Sequence, residues 1–94
     1  MPIEMNSRIV RVEGLQTAVI DDEIVILNLQ TNNYVALDEV GRRIWDLLES
    51  PWRVADLCRQ LSQEFEASPE QIMADVLPFL GELTGENLAY EVAA

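Results

Sequence analysis

Histidine and lysine are absent from this 94-residue chain, and cysteine occurs once, as Cys58. Without histidine the commonest general base and metal ligand of neutral pH is missing. A lone cysteine excludes an internal disulfide and suits a reducing compartment, so the expected location is cytoplasmic. No apolar run approaches the roughly 20 residues that a membrane span needs. Met1 to Val10 carries no apolar core of the kind that directs export. Glycine-rich phosphate loops are missing too, since Gly41, Gly81 and Gly85 stand alone. Positive charge is also scarce. All six basic residues are arginines, and 17 acids bring the net charge to -11. Nucleic acid and anionic membrane surfaces draw proteins through basic patches, so neither is an expected partner.

What is present is an ordinary globular composition, with 49% hydrophobic and 24% charged residues. The length fits one domain, residues 1–94, with a small core and a loose N-terminal end over residues 1–7. The first third reads as β-structure. Arg8 to Val12 alternates and can be extended. Thr17 to Ile20, Ile24 to Leu29 and Tyr34 to Leu37 are apolar and rich in β-branched residues, and Asp21-Asp22 and Asn32-Asn33 supply turns between them. That spacing predicts a three-stranded antiparallel meander.

Three helices follow. Asp38 caps the first, whose stripe is Val40, Ile44, Leu47 and Leu48 with Trp45 beside it; Pro51 ends it. The second runs from about Arg53 to Phe65, with Val54, Leu57, Cys58, Leu61 and Phe65 on one face. The third opens with Ser68-Pro69-Glu70-Gln71, a capping serine with proline in the first turn. It should run to about Thr84, with Gly85 as a left-handed stop and Leu88 to Val92 as an extended tail. Pro78 interrupts its hydrogen bonding, and a kink is expected near Ala74 to Pro78.

Chemistry has little to stand on. Cys58 sits on an apolar stripe with no histidine to activate it, which marks a core thiol. Asp21-Asp22-Glu23 is a solvated turn; a calcium loop needs more ligands at fixed spacing. An acyl carrier would need an Asp-Ser-Leu attachment site, and Asp56-Leu57 has no intervening serine. The chain is therefore expected to be no enzyme, with no cofactor and no metal.

The third helix carries an anomaly. At about 100° per residue, Ile72, Val76, Phe79 and Leu83 form a core stripe. Met73, Leu77 and Leu80, with Thr84 among them, widen the apolar arc on one flank, while Asp75 and Glu82 occupy the other. Either the fold covers both sides, or one flank is left for a partner. Tyr34 to Leu37, as the last strand of the meander, would be an edge with free N–H and C=O groups. An edge beside an apolar helix flank can take an extended peptide as an added strand.

The run Ile24-Val-Ile-Leu-Asn-Leu-Gln-Thr-Asn-Asn-Tyr34-Val-Ala-Leu37-Asp38 resembles the hairpin of PqqD-like proteins. Glu39-Val-Gly41-Arg-Arg-Ile44-Trp45-Asp-Leu-Leu48 resembles their first helix. Val54-Ala-Asp-Leu57 through Leu61 and Phe65 resembles the second, and Asp75-Val76-Leu-Pro-Phe79-Leu80-Gly-Glu-Leu83 with Leu88 the third helix and exit. The resemblance spans Thr17 to Val92. It implies an α+β, winged-helix-like fold: a three-stranded antiparallel sheet followed by a three-helix bundle. It also implies a recognition element for ribosomally made peptides, of the kind that serves pyrroloquinoline quinone or lasso-peptide biosynthesis. Such a domain binds the leader of a precursor peptide by strand addition and presents it to a modifying enzyme, a radical-SAM protein or a leader peptidase.

Carried onto this chain, the peptide-binding residues are Asn33, Tyr34, Val35, Ala36 and Leu37 on the strand. Met73, Leu77, Leu80 and Thr84 are those on the helix. Val35 and Leu37 point to the core and contribute backbone. Leu80→Glu is expected to abolish leader binding with the fold intact. Two other readings are open: a winged-helix domain in transcription regulation, and a structural homodimer formed through the edge strands. Expected assembly is a monomer or a weak homodimer.

Overall fold

The computed structural model describes residues 3–21 and 23–92. Asp22, the second residue of the expected Asp21-Asp22 turn, lies outside them. The strands β1 (Arg8–Arg11), β2 (Gln16–Ile20), β3 (Glu23–Asn28) and β4 (Asn33–Leu37) come first. Then follow α1 (Glu39–Leu47), β5 (Trp52–Arg53), α2 (Val54–Glu64), α3 (Pro69–Gly85) and β6 (Ala89–Val92). The architecture is α+β with three helices, as expected. Among the described residues no helix is long and apolar enough to cross a membrane.

The expected meander is present. β2, β3 and β4 are antiparallel in the order β2-β3-β4, with Val19 opposite Ile24 and Ile24 opposite Leu37. Its register follows from side-chain alternation. Val35 and Leu37 on β4 and Ile26 on β3 are buried in the core, and their cross-strand position puts them on one face. Turn residues meet their geometric demand: Asp21 and Asn32 take positive φ values of 51° and 58°.

One sheet was expected, but the described residues form two: a second three-stranded sheet, ordered β5-β1-β6, shares no strand with β2-β3-β4. The two stretches read as merely extended are its members, and they join the chain's ends: Arg8 lies opposite Val92 and Arg11 opposite Ala89. Arg53, expected inside the second helix, instead pairs with Arg8 in β5 and then leads into α2. Nor is all of the N-terminal end loose. Val54 N donates to Ser7 O at 2.9 Å and Ala55 N to Met5 O at 3.0 Å, so this segment satisfies N–H groups at the start of α2.

Helix ends explain two further differences. Asp38 caps α1 as expected, its carboxylate accepting from Gly41 N at 2.7 Å, and Ser68 caps α3, accepting from Gln71 N at 3.2 Å. Gly85 is not the left-handed stop of α3. It stays helical, and Asn87 takes the positive φ of 60°. Leu88 N then reaches back to Leu83 O at 2.9 Å and Asn87 N to Thr84 O at 3.2 Å. Asparagine tolerates that conformation, and the paired leucines, both buried, complete the cap. α3 continues as one element through Pro78, which is exposed, as is Ala74, whose carbonyl the proline cannot bond.

The core joins all layers. Ile9, Ile26, Leu48, Val54, Leu57, Leu61, Val76, Leu80 and Leu83 are fully buried within one cluster. Within it α3 packs against α2 and β6.

Candidate functional site

β4 alternates about its strand axis. Val35 and Leu37 are buried, while Asn33, Tyr34 and Ala36 are exposed. β3 takes one side of β4, from Asn28 opposite Asn33 to Ile24 opposite Leu37. Among the described residues no strand takes the other side. That edge presents backbone donors and acceptors with no proline or lysine to deter pairing.

α3 approaches β4 at two places, and their order sets the helix in the opposite direction to the strand. Its last turn meets the start of β4: Asn33 Nδ2 donates to Glu86 Oε2 at 2.9 Å, and Asn28 Nδ2 donates to the Glu86 main-chain oxygen at 2.9 Å. One helical stretch earlier, Phe79 meets the far end of β4. It lines a cleft of about 630 Å³ with Glu23, Ala36, Leu37, Asp38, Glu39 and Arg42. A β-carbon added at Gly41 would stand 3.1 Å from the capping carboxylate oxygen of Asp38 and 3.4 Å from Phe79 Cζ, so the ring packs close to α1 at this glycine. The two rulers agree. Phe79 to Glu86 spans roughly 10 Å of helix, and Asn33 to Leu37 roughly 13 Å of strand.

The structure therefore brings Asn33 to Leu37 together with α3, but by a flank other than the expected one. Leu80 is fully buried in the core. At about 100° per residue Met73, Leu77 and Thr84 lie 120–160° around the helix from Phe79. Met73 borders a separate cavity of about 410 Å³, with Met5, Ala55, Cys58 and Pro69. The sequence pattern placed Phe79 within the core stripe. The fold leaves it half-buried at the stripe's margin, facing the β4 edge. Asn28 and Glu86 were also missed. Both are polar residues whose importance depends on a contact 58 residues distant in the chain.

A family model described as "Coenzyme PQQ synthesis protein D (PqqD)" matches residues 23–89. The chain belongs to the PqqD family. Two solved structures share the fold of this PqqD-family chain. One is TbiB1 in complex with the TbiA(β) leader peptide, 34% identical, with a TM-score of 0.71; the match covers 90% of this chain and 99% of that one. The other is the solution NMR structure of the PqqD truncation of Methylobacterium extorquens PqqCD, described as a functional and stand-alone RiPP recognition element. It is 20% identical with a TM-score of 0.75, and the match covers 94% of each chain. No curated protein matches.

Burial and surface ion pairs shift a few titratable groups of this PqqD-family chain. Burial pushes the Cys58 thiol up, which keeps it protonated and a poor nucleophile. The lowered carboxyls belong to surface ion pairs: Glu64 is held down by the Arg43 guanidinium at 2.7 Å and by Gln60, and Asp56 chiefly by Arg53. Among the described residues no group of three or more His, Cys, Asp or Glu side chains could hold a metal ion.

Proposed function

We propose that this PqqD-family chain is a non-catalytic adaptor that binds the leader segment of a ribosomally synthesised precursor peptide. The leader adds as a strand on the free edge of β4, with Phe79 and the α3 face from Glu82 to Glu86 as its second wall. The observation that carries this reading is the open β4 edge set beside α3, in a fold shared with TbiB1, whose structure holds a leader peptide. Backbone pairing supplies affinity, and the side chains that face the helix wall supply choice. Presentation to a modifying enzyme, a radical-SAM protein or a leader peptidase, then acts by raising the local concentration of one peptide and fixing its direction.

The test is a titration of isotopically labelled protein with the leader of the precursor peptide encoded beside its gene. Amide shifts concentrated on Asn33 to Leu37 and on Phe79 to Glu86 are expected. A folded protein with no shifts at saturating leader would overturn the proposal.

A further inference from the structure

Five of the six arginines are engaged away from the cleft. Arg43 pairs with Glu64, and Arg53 and Arg59 pair with Asp56, with Arg8 close enough to act on the same carboxylate. The Arg11 guanidinium lies 5.3 Å above the Trp45 ring and donates to the Trp45 carbonyl at 3.1 Å. Arg42 alone reaches the cleft, at its rim.

Acids surround it. Glu23, Asp38 and Glu39 line the strand side. On α3, taking Phe79 as zero and stepping about 100° per residue, Glu86, Asp75 and Glu82 fall within roughly 60° of it on the flank away from the core. Asp75 and Glu82 are exposed, and among the described residues neither is in an ion pair. Glu82 and Glu86 are about 6 Å apart along the helix, close to the roughly 6.7 Å between alternate residues of a strand. A strand added to β4 turns every second side chain toward this wall.

We infer, on the adaptor reading above, that the peptide this chain accepts carries arginine or lysine at alternate positions facing α3, beside an apolar residue seated on Phe79 and Leu37. The occupant is thus a basic extended segment. The charge acts in two ways. Exposed acid–base pairs each add modest affinity, and the negative wall speeds encounter with a basic peptide while repelling acidic ones.

The probe is a displayed library of random 12-residue peptides, selected on the full chain at low salt. Lysine and arginine should be enriched at alternate positions, and the selected peptides should shift the amides of β4. Their affinity should fall as salt is raised, since exposed pairs are screened. Glu82→Lys, an exposed change that leaves the core alone, should weaken them about threefold to tenfold. Selected peptides that shift β4 with no basic preference, or that bind Glu82→Lys equally well, overturn this inference and leave the adaptor reading in place. Selection of no peptide that shifts β4 overturns both.

Discussion

Asn28 and Glu86 are joined by a 2.9 Å hydrogen bond, from the Asn28 amide to the Glu86 main-chain oxygen, across 58 residues of sequence. Asn28 is the one buried polar residue among those described, and its Oδ1 also accepts from Gln30 N at 3.0 Å and Thr31 N at 3.3 Å. It thus holds the β3–β4 turn and the end of α3 at once, and sets how far the helix stands from the β4 edge. Asn28→Ala should cost about 1–2 kcal/mol, because it removes hydrogen bonds to three part-buried backbone groups. Leader affinity should fall with it, as α3 drifts from the edge. Urea unfolding measures the first effect, and an unchanged midpoint would show that water replaces the amide without loss.

Two α3 substitutions separate core from site. Leu80 is fully buried, so Leu80→Glu places a charge where nothing can pair with it. That costs more than about 4 kcal/mol, a large share of the stability of a domain this small. Binding would be lost through unfolding, and the expectation of an intact fold does not survive this burial. Phe79 is half-buried, and Phe79→Ala should cost about 1–2 kcal/mol while removing the apolar seat of the cleft. Circular dichroism should find Leu80→Glu unfolded and Phe79→Ala folded. Calorimetry should then give at least a tenfold loss of leader affinity for Phe79→Ala; full affinity would remove Phe79 from the site.

The contrast between Leu80 and Phe79 marks how far the sequence could be read. The meander was legible because alternation and turn residues act locally: Val35 and Leu37 face the core, and Asn32 takes the left-handed turn. The starts of α1 and α3 were legible for the same reason, since Asp38 and Ser68 cap within three residues. The second sheet was not, because Arg8 opposite Val92 is a pairing of the chain's ends and β5 is two residues long. The free edge of β4 was readable, but the margin of α3 that lies near it was not. α3 is apolar over a wide arc, and which margin stays open depends on where α2 and β6 press against it.

The end of α2 offers a gain in stability. Glu66 takes a φ of 50°, and Ala67 N reaches back to Ser62 O at 3.3 Å. That is the position where glycine avoids the Cβ clash of the left-handed conformation. Glu66 is exposed, so its side chain gives up no packing when removed. Glu66→Gly should raise stability by about 0.5–1 kcal/mol, the left-handed penalty less the added entropy of an unfolded glycine. A thermal melt several degrees higher is the expected result, with leader binding unchanged. A lower melting point would mean that the entropy term dominates.

Acid should separate the Arg43–Glu64 pair from the rest of the fold. Arg43 Nε stands 2.7 Å from Glu64 Oε1 and links α1 to α2, and Gln60 donates to Glu64 at 2.7 Å. These donors hold the Glu64 carboxyl below its ordinary value. A carboxyl lowered in the folded state binds fewer protons there than in the unfolded chain. Its stabilisation is therefore present above the unfolded value, about 4.3, and is lost as pH falls through the lower folded value. The pair is at the surface, so the effect is small and weakens with salt. Glu64→Gln should melt below the parent chain at pH 7, and the gap should narrow as pH falls below about 4.3. Melts of both proteins across this range at low salt measure it. A gap that stays constant with pH would mean that Glu64 stabilises by hydrogen bonding and packing alone, with no part played by its charge.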